Sequence, residues 1–360
     1  LNPWSVASLN SEITTGAEYG GSRRRANRRR KKRGLPLLRL FLLLCLICGV
    51  LAYREFGMRF SKRYAAAEDG TALLKSTNPS SVLVPFAADL AVPEAESGSE
   101  YLTDVRAEGV LLIDGTNKKS LLSHNAYTRM NPASTTKIMT CLIALEDPEI
   151  HMDDLWTAGP EIVVSEPGAS MGGFQQGDQL TAEQVLYCLM VRSGADAANM
   201  VATRVAGSEE AFVEKMNERA KELGATGTHF TNSHGLTDPN HYTTPYDLYL
   251  ILHEAMKYPE FRKLASEKLY VADYVDAAGQ AVQKKWFSTN YYLVGKAKLP
   301  TGFSVVAAKT GTTMAAGACL AQLSASESGR EYYSIVLKSP NHDTLYQDTS
   351  LLLQKSAQVH

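Results

Sequence analysis

The sequence predicts an α+β domain, an antiparallel sheet flanked by helices, held behind an N-terminal transmembrane helix. Three observations predict this. After residue 101 a helical block comes first and a run of short β-rich segments second; segregated elements of this kind build an antiparallel sheet. Leu40 to Tyr53 (LFLLLCLICGVLAY) contains no charge. Just before it, Arg23 to Arg33 (RRRANRRRKKR) holds nine basic residues in eleven positions.

Those last two features divide the chain. Residues 1–34 read as a polar, basic cytoplasmic tail and 35–53 as a single transmembrane anchor. A helix needs roughly 17–25 apolar residues to cross a bilayer, and this stretch meets that if Arg39 snorkels. Basic residues before the span place the N-terminus in the cytoplasm and the remainder outside the membrane. The basic run is then a topology determinant that touches anionic lipid, not a nucleic-acid contact. A cleaved signal peptide is the rival reading, with Ala65-Ala66-Ala67 as the cleavage site. Arg54, Arg59, Lys62 and Arg63 separate those alanines from the apolar core, which favours the anchor. Five cysteines form no framework. Cys45 and Cys48 lie in the span, while Cys141, Cys188 and Cys319 sit far apart in apolar surroundings and read as buried thiols. Cys45 and Cys48 are spaced C-x-x-C but lie inside the apolar span, and no further Cys or His spacing points to zinc, so neither metal nor cofactor is expected.

Residues 54–100 are rich in Ala, Ser, Pro and Glu and read as an extracytoplasmic linker. The folded domain covers 101–360. Val105–Asp114 and Ser120–Tyr127, joined by Asp114-Gly-Thr-Asn117, read as a hairpin. Ser134–Leu145 follows Pro132 as a helix. Thr181-Ala-Glu-Gln184 is a capping box that opens a helix running to about Val191. Asp196–Val205 and Ser208–Leu223 are two more helices, the second with Ser208 as cap, acids in its first turn and Gly224 as its stop. Thr244-Pro245-Tyr246-Asp247 starts another, with proline at the first helical position. The texture then changes to strands: Lys268–Val275, Ala281–Ser288, Ser304–Lys309, Gly317–Ala325 and Tyr332–Lys338, separated by Gly/Ser/Asn turns. A last helix covers about Thr344–Ser356.

Three strings on these elements carry chemistry: Ser134-Thr-Thr-Lys137, Ser193-Gly-Ala195 and Lys309-Thr-Gly311. Ser134 and Lys137, at i and i+3, share one face of a helix. Ser134 lies in the first turn, where unpaired N–H groups and the helix dipole favour developing negative charge. A lysine serves as a base near neutral pH only if burial and nearby positive charge lower its pKa by several units. Lys309 could supply that charge if its strand lies against the helix. Each string alone is weak, and an exposed Ser-x-x-Lys pair is common in helices. All three in this order, 59 and 116 residues apart, are the parts of an active-serine acyl-transfer enzyme that uses lysine as proton acceptor. A Ser-His-Asp triad lacks support: the one G-x-S-x-G string, Gly168-Ala-Ser-Met-Gly172, runs on into Gly173-Phe-Gln-Gln-Gly177 and opens no helix, so no nucleophile elbow supports it.

At this point the chain resembles the low-molecular-mass penicillin-binding proteins, the serine-type D-alanyl-D-alanine carboxypeptidases. The resemblance covers about Tyr101 to Val359. It also includes Asn131-Pro-Ala-Ser-Thr-Thr-Lys-Ile-Met-Thr140, Gly177-Asp-Gln-Leu-Thr181, Asn232-Ser-His-Gly-Leu236 and His241-Tyr-Thr-Thr-Pro-Tyr-Asp247. It implies the fold shared with serine β-lactamases, and it makes 101–360 a DD-peptidase catalytic domain. Carried over motif by motif, Ser134 is the acylated nucleophile and Lys137 takes its proton. Ser193 relays protons toward the leaving amine. Lys309 helps bind the substrate carboxylate and tunes Lys137. Thr310 contacts substrate, Gly311 lets substrate run beside the strand, and the N–H groups of Ser134 and Thr312 form the oxyanion hole. The implied partners are the peptidoglycan stem peptide ending in D-Ala-D-Ala and β-lactam antibiotics.

Three departures from the family pattern stand out. The second string usually ends in Asn; here that position is Ala195, and the lost amide would bond substrate or hold Lys137. Asp196, next to it, is expected to cap the following helix. Only 49 residues follow Gly311, so the N-terminal span is expected to replace a C-terminal anchor. No arginine follows Arg330, so the substrate carboxylate is expected to rely on Lys309 and hydroxyls. His234 and His241 read as packing residues, and Met171-Gly-Gly-Phe174 as a cleft border or a plain surface turn. The expected function is removal of the terminal D-Ala through an acyl-enzyme on Ser134. The alternatives are a β-lactamase or D,D-endopeptidase on the same scaffold, or a non-catalytic protein that binds wall or β-lactam.

Overall fold

The computed structural model describes residues 90–356 and 358, with 167 excepted. The expected span, 35–53, lies outside them. Among the described residues no helix is long and apolar enough to cross a membrane.

Among the described residues seven α-helices form: α1 (Lys137–Glu146), α2 (Ala182–Tyr187), α3 (Ala195–Ala206), α4 (Glu209–Glu222), α5 (Pro245–Ala255), α6 (Pro259–Ser266) and α7 (His342–Lys355). Their starts follow the local chemistry. Thr181 and Gln184 form the capping box of α2. Ser208 accepts from the Ala211 N–H at α4, and Thr244 from the Asp247 N–H at α5, whose first residue is Pro245. The last helix starts two residues earlier than expected, because Asn341 is its cap and accepts from the Thr344 N–H. Helix α6 was not expected.

The nine strands among the described residues divide into two sheets. The hairpin is β1 (Gly109–Asp114) and β2 (Lys119–His124), which ends where Asn125 takes a left-handed φ of 53°. A C-terminal meander, β7 (Phe303–Thr313), β8 (Gly317–Ser326) and β9 (Glu331–Ser339), joins it through β9 beside β1. The order is β2-β1-β9-β8-β7, every pair antiparallel. Side chains alternate faces along a strand, and here both faces are covered. Val110 and Leu112 pack with Leu345, Leu352 and Leu353 of α7. Leu111 and Ile113 pack with Ile138, Leu142 and Ile251 of the helical block.

The remaining strands form a separate sheet, β3 (Leu155–Thr157), β4 (Gln179–Thr181), β5 (Leu269–Val275) and β6 (Ala281–Phe287), in that order. Two of these were expected as strands, but not in a sheet of their own with two three-residue partners. Their pattern explains the separation. In β5 and β6 every second residue is exposed or half-buried, so one face meets water, whereas all six residues of β1 are buried.

Candidate active site

The path to Ser134 runs through unusual backbone. Ala133 takes φ 48°, and the chain then enters a 3₁₀ turn, Ala133–Thr136, before α1 begins at Lys137. A left-handed non-glycine residue costs about 1–3 kcal/mol, and surrounding bonds must hold it. Here Thr135 Oγ1 donates to the Pro132 carbonyl (2.7 Å) and Thr136 Oγ1 to that of Ala133 (2.8 Å). The expected helix from Ser134 therefore starts three residues later, yet the i, i+3 relation survives. Lys137 Nζ lies 3.1 Å from Ser134 Oγ and donates to the His234 carbonyl at 2.5 Å. Lys137 is only 1% exposed. Burial pushes its amine down to about 7, against the opposing pull of Asp196 and then Cys188.

Ser193 is aimed by a second irregularity. The helix expected to reach Val191 gives way after Tyr187 to a π turn, Cys188–Arg192, and Ser193 follows with φ 64°. A π turn accommodates one extra residue and is common at functional sites. Lys309, also 1% exposed, donates to Ser193 Oγ (2.8 Å) and to the Thr310 carbonyl (2.9 Å). Burial first, and the neighbouring Lys137 second, hold the Lys309 amine well below the ordinary lysine value. Two Ser–Lys pairs thus face one another. The described hydrogen bonds of Lys137 go to Ser134 and His234, and the hydroxyl of Ser193 is bonded to Lys309.

Gly311 is required by the backbone itself, beyond any need for room beside substrate. A Cβ there would lie 2.7 Å from the Pro132 carbonyl oxygen and 2.9 Å from Ser134 N. The glycine is what lets β7 press against the turn that carries the nucleophile. Gly311→Ala is expected to push strand and turn apart and slow acylation of Ser134 on the order of 10²-fold. Time-resolved labelling by a fluorescent penicillin checks this. Thr310 Oγ1 is 2.5 Å from Thr289 Oγ1; the exposed Thr312 donates its hydroxyl to the Gly311 carbonyl and lies 3.4 Å from His342 Nε2.

All three strings border one open cleft of about 450 Å³, lined by Ser134, Ser193, Thr310, Gly311 and Thr312. Its other lining includes Arg192, Phe287, Tyr291, Lys296 and His342. Two further cations stand beside the expected Lys309. Lys309 is buried and its donors point at Ser193 and Thr310, whereas Arg192 and Lys296 reach the cleft exposed. Lys296 lies over the Tyr291 ring, which stacks on His342 and Tyr346. No local pattern marks these residues, since the fold brings them to the cleft from two loops and a helix start.

The residues around Ala195 also differ from expectation. Asp196 does not cap α3. Its buried carboxylate accepts from the N–H groups of Gly172 (2.8 Å), Gly173 (2.7 Å), Phe174 (3.3 Å) and Ala197 (2.9 Å). The 171–174 segment is accordingly a fixed wall. Lys284 donates to the Gly173 carbonyl, Trp286 Nε1 to that of Gly172, and Arg192 Nε to that of Met171. His241 packs as expected. Its ring meets Phe230, its Nδ1 accepts from the Thr231 N–H, and burial pushes it down to about 4. His234 does more than pack, because its carbonyl holds Lys137; a backbone atom leaves no trace in sequence. Among the described residues no cluster of three or more His, Cys, Asp or Glu could hold a metal, and Cys141, Cys188 and Cys319 are buried free thiols.

This antiparallel sheet flanked by helices is a fold shared with a serine DD-peptidase of known structure. The chain belongs to the D-alanyl-D-alanine carboxypeptidase family, which it matches over residues 94–341. It is 37% identical over 191 residues to a D-alanyl-D-alanine carboxypeptidase of Bacillus subtilis, an alignment covering 51% of this chain and 46% of that one. A Streptomyces D-alanyl-D-alanine carboxypeptidase is 30% identical over 256 residues, covering 68% and 84%. The match thus spans about half the length of the Bacillus relative. The crystal structure of a Streptomyces DD-transpeptidase superposes with a TM-score of 0.66 at 29% identity, covering 71% of this chain and 98% of that one.

Proposed function

We propose that the protein is a serine D-Ala-D-Ala carboxypeptidase that trims peptidoglycan stem peptides through an acyl-enzyme on Ser134. The observation that carries this reading is the buried Lys137 amine, 3.1 Å from Ser134 Oγ and lowered to about 7. A neutral amine there takes the Ser134 proton as Oγ attacks the penultimate D-Ala carbonyl. The N–H groups of Ser134 and Thr312 receive the oxyanion. Collapse of the tetrahedral intermediate breaks the peptide bond. Lys137 passes the proton it took from Ser134 through Ser193, which Lys309 holds, to the leaving amine, and is neutral again. Water, deprotonated by Lys137, then hydrolyses the ester and restores Ser134. Lys296 and Arg192 attract the substrate carboxylate, and Thr310 and Thr312 contact it. A β-lactam places its strained amide where the scissile bond sits and acylates the same oxygen.

Relatives are named both carboxypeptidase and transpeptidase; the two differ only in whether water or an amine accepts the acyl group. The test is fluorescent-penicillin labelling together with D-Ala release from a diacyl-Lys-D-Ala-D-Ala peptide, with and without glycine as acceptor. Labelling lost in Ser134→Ala, with D-Ala released, is the expected result. No label on the wild type would overturn the reading, and label without D-Ala release would favour a β-lactam sensor. Fast turnover of penicillin would favour a β-lactamase. The rate of acylation is expected to fall about tenfold per pH unit below about 7, where Lys137 gains its proton, and to level off above. Within this reading 1–34 is the cytoplasmic tail, 35–53 the anchor, 54–100 the tether and 101–360 the extracytoplasmic catalytic domain. Accessibility of the domain to added protease in intact spheroplasts tests that topology.

A further inference from the structure

We propose that Glu209 is a positioning residue for Lys137, and that the Asn232–Leu236 turn it holds does the work of the amide absent at Ala195. The proposal rests on the acylation chemistry assigned above. A neutral lysine amine has two hydrogens and one lone pair. To deprotonate Ser134, the lone pair must face Oγ, so the hydrogens must be engaged elsewhere. Ala195 is 2% exposed and brings no polar side-chain atom. The described acceptor for Lys137, apart from Ser134 itself, is the His234 carbonyl at 2.5 Å. The lone-pair direction therefore depends on where that carbonyl stands.

Its position is set from two sides. Helix α1 offers Lys137 and Thr140, one turn apart on the same face. Lys137 donates to the His234 carbonyl and Thr140 Oγ1 to the Ser233 carbonyl at 2.5 Å. From the other side Glu209, in the first turn of α4, grips the same turn through Ser233. One carboxylate oxygen accepts from the Ser233 N–H (2.6 Å) and the other from Ser233 Oγ (3.0 Å). Within the turn Asn232 Oδ1 accepts from the Gly235 N–H (2.6 Å), and Asn232 Nδ2 donates to the Leu236 carbonyl (3.1 Å). Gly235 is pressed so closely on Ala133 that a Cβ would sit 2.0 Å from its carbonyl oxygen. Ser233 is fully buried, so losing its acceptor leaves an N–H and a hydroxyl unsatisfied. The turn can restore those bonds only by moving, and the His234 carbonyl moves with it.

The experiment follows the acylation rate constant and the initial binding constant for a fluorescent penicillin. The variants are Glu209→Ala, Glu209→Gln and Thr140→Val, with the exposed Glu210→Gln as control. Glu209→Ala is expected to slow acylation on the order of 10²-fold per folded molecule with initial binding near the wild type. Glu209→Gln, which keeps one acceptor, is expected to fall between. Thr140→Val removes the second hold on Ser233 at nearly constant volume and must show the same split between rate and binding. Adding Ala195→Asn to Glu209→Ala is expected to recover much of the rate, which a merely structural role for Glu209 would not allow. Wild-type rates per folded molecule in both Glu209→Ala and Thr140→Val, or loss of rate and binding together, would overturn the proposal while leaving the assigned function standing. An unlabelled wild type would overturn both.

Discussion

Lys137→Met is expected to slow acylation of Ser134 on the order of 10⁴-fold while leaving the fold intact or more stable. The kinetic part follows from the base itself: positioned general bases contribute roughly 10²–10⁴-fold, and here Lys137 also sets the orientation of the Ser134 hydroxyl. The stability part follows from linkage. The folded-state value of Lys137 is about 7, below its ordinary 10.5. In that window the unfolded chain binds a proton that the folded chain does not, so stability rises with pH between about 7 and 10.5. Below about 7 the whole cost is present, on the order of several kcal/mol. Methionine has similar length and removes that cost. The melting temperature of the variant is expected to exceed that of the wild type near pH 6 and to approach it near pH 10. Lys309, lowered for the same reason, keeps part of the pH dependence in both proteins. A variant that melts lower at every pH would mean that the amine is a net structural contact.

Asp196→Ala is expected to have the largest effect on stability, a loss of about 3–5 kcal/mol. Its carboxylate serves four backbone N–H groups, and a buried donor left unsatisfied costs about 1–3 kcal/mol. Lys284 and Trp286 still hold the same segment, so the four costs do not add in full. The variant also carries an electrostatic signature. The Asp196 charge raises the Lys137 value against the effect of burial. Without it, Lys137 sheds its proton more readily, and the acid limb of the acylation profile moves to lower pH. Chemical denaturation measures the first effect and a pH–rate profile the second. An unchanged limb in a destabilised variant would show that Asp196 is too well screened to act on Lys137.

What the sequence made legible was local. Thr181, Ser208 and Thr244 announced their helices because a cap is a contact between residues three apart. The three strings were readable because their residue types are chemically rare in that order, and the structure brings them to one cleft. The rest depends on distant partners. The π turn before Ser193 follows from how α2 meets its neighbours, and nothing in Cys188–Arg192 marks it. The second sheet escaped notice because β3 and β4 are three residues each, too short for alternation to register. Asp196 resembled a cap because it sits at a helix start; three of its four partners are more than 20 residues upstream. The part of Gly311 in packing was invisible because the atom it avoids belongs to Pro132. Glu209 read as a first-turn acid, which it is, while its second task depends on a turn beyond the end of its helix.

The position of β9 between β1 and β8 has a consequence for how the chain matures. Gly109 lies opposite Leu337 in the sheet, so the first strand completes its ladder only after the whole helical block and the rest of the meander have been made. Pairings this remote in sequence are slow to form, because a very long loop must close before any contact rewards it. A chain emerging N-terminus first would therefore carry the turn with Ser134 beside an open, half-built sheet until β7, with Lys309 and Gly311, and then β9 had docked. Catalytic competence arrives as a late, all-or-none event of folding, and a nascent or truncated chain displays the nucleophile without the strand that makes it reactive.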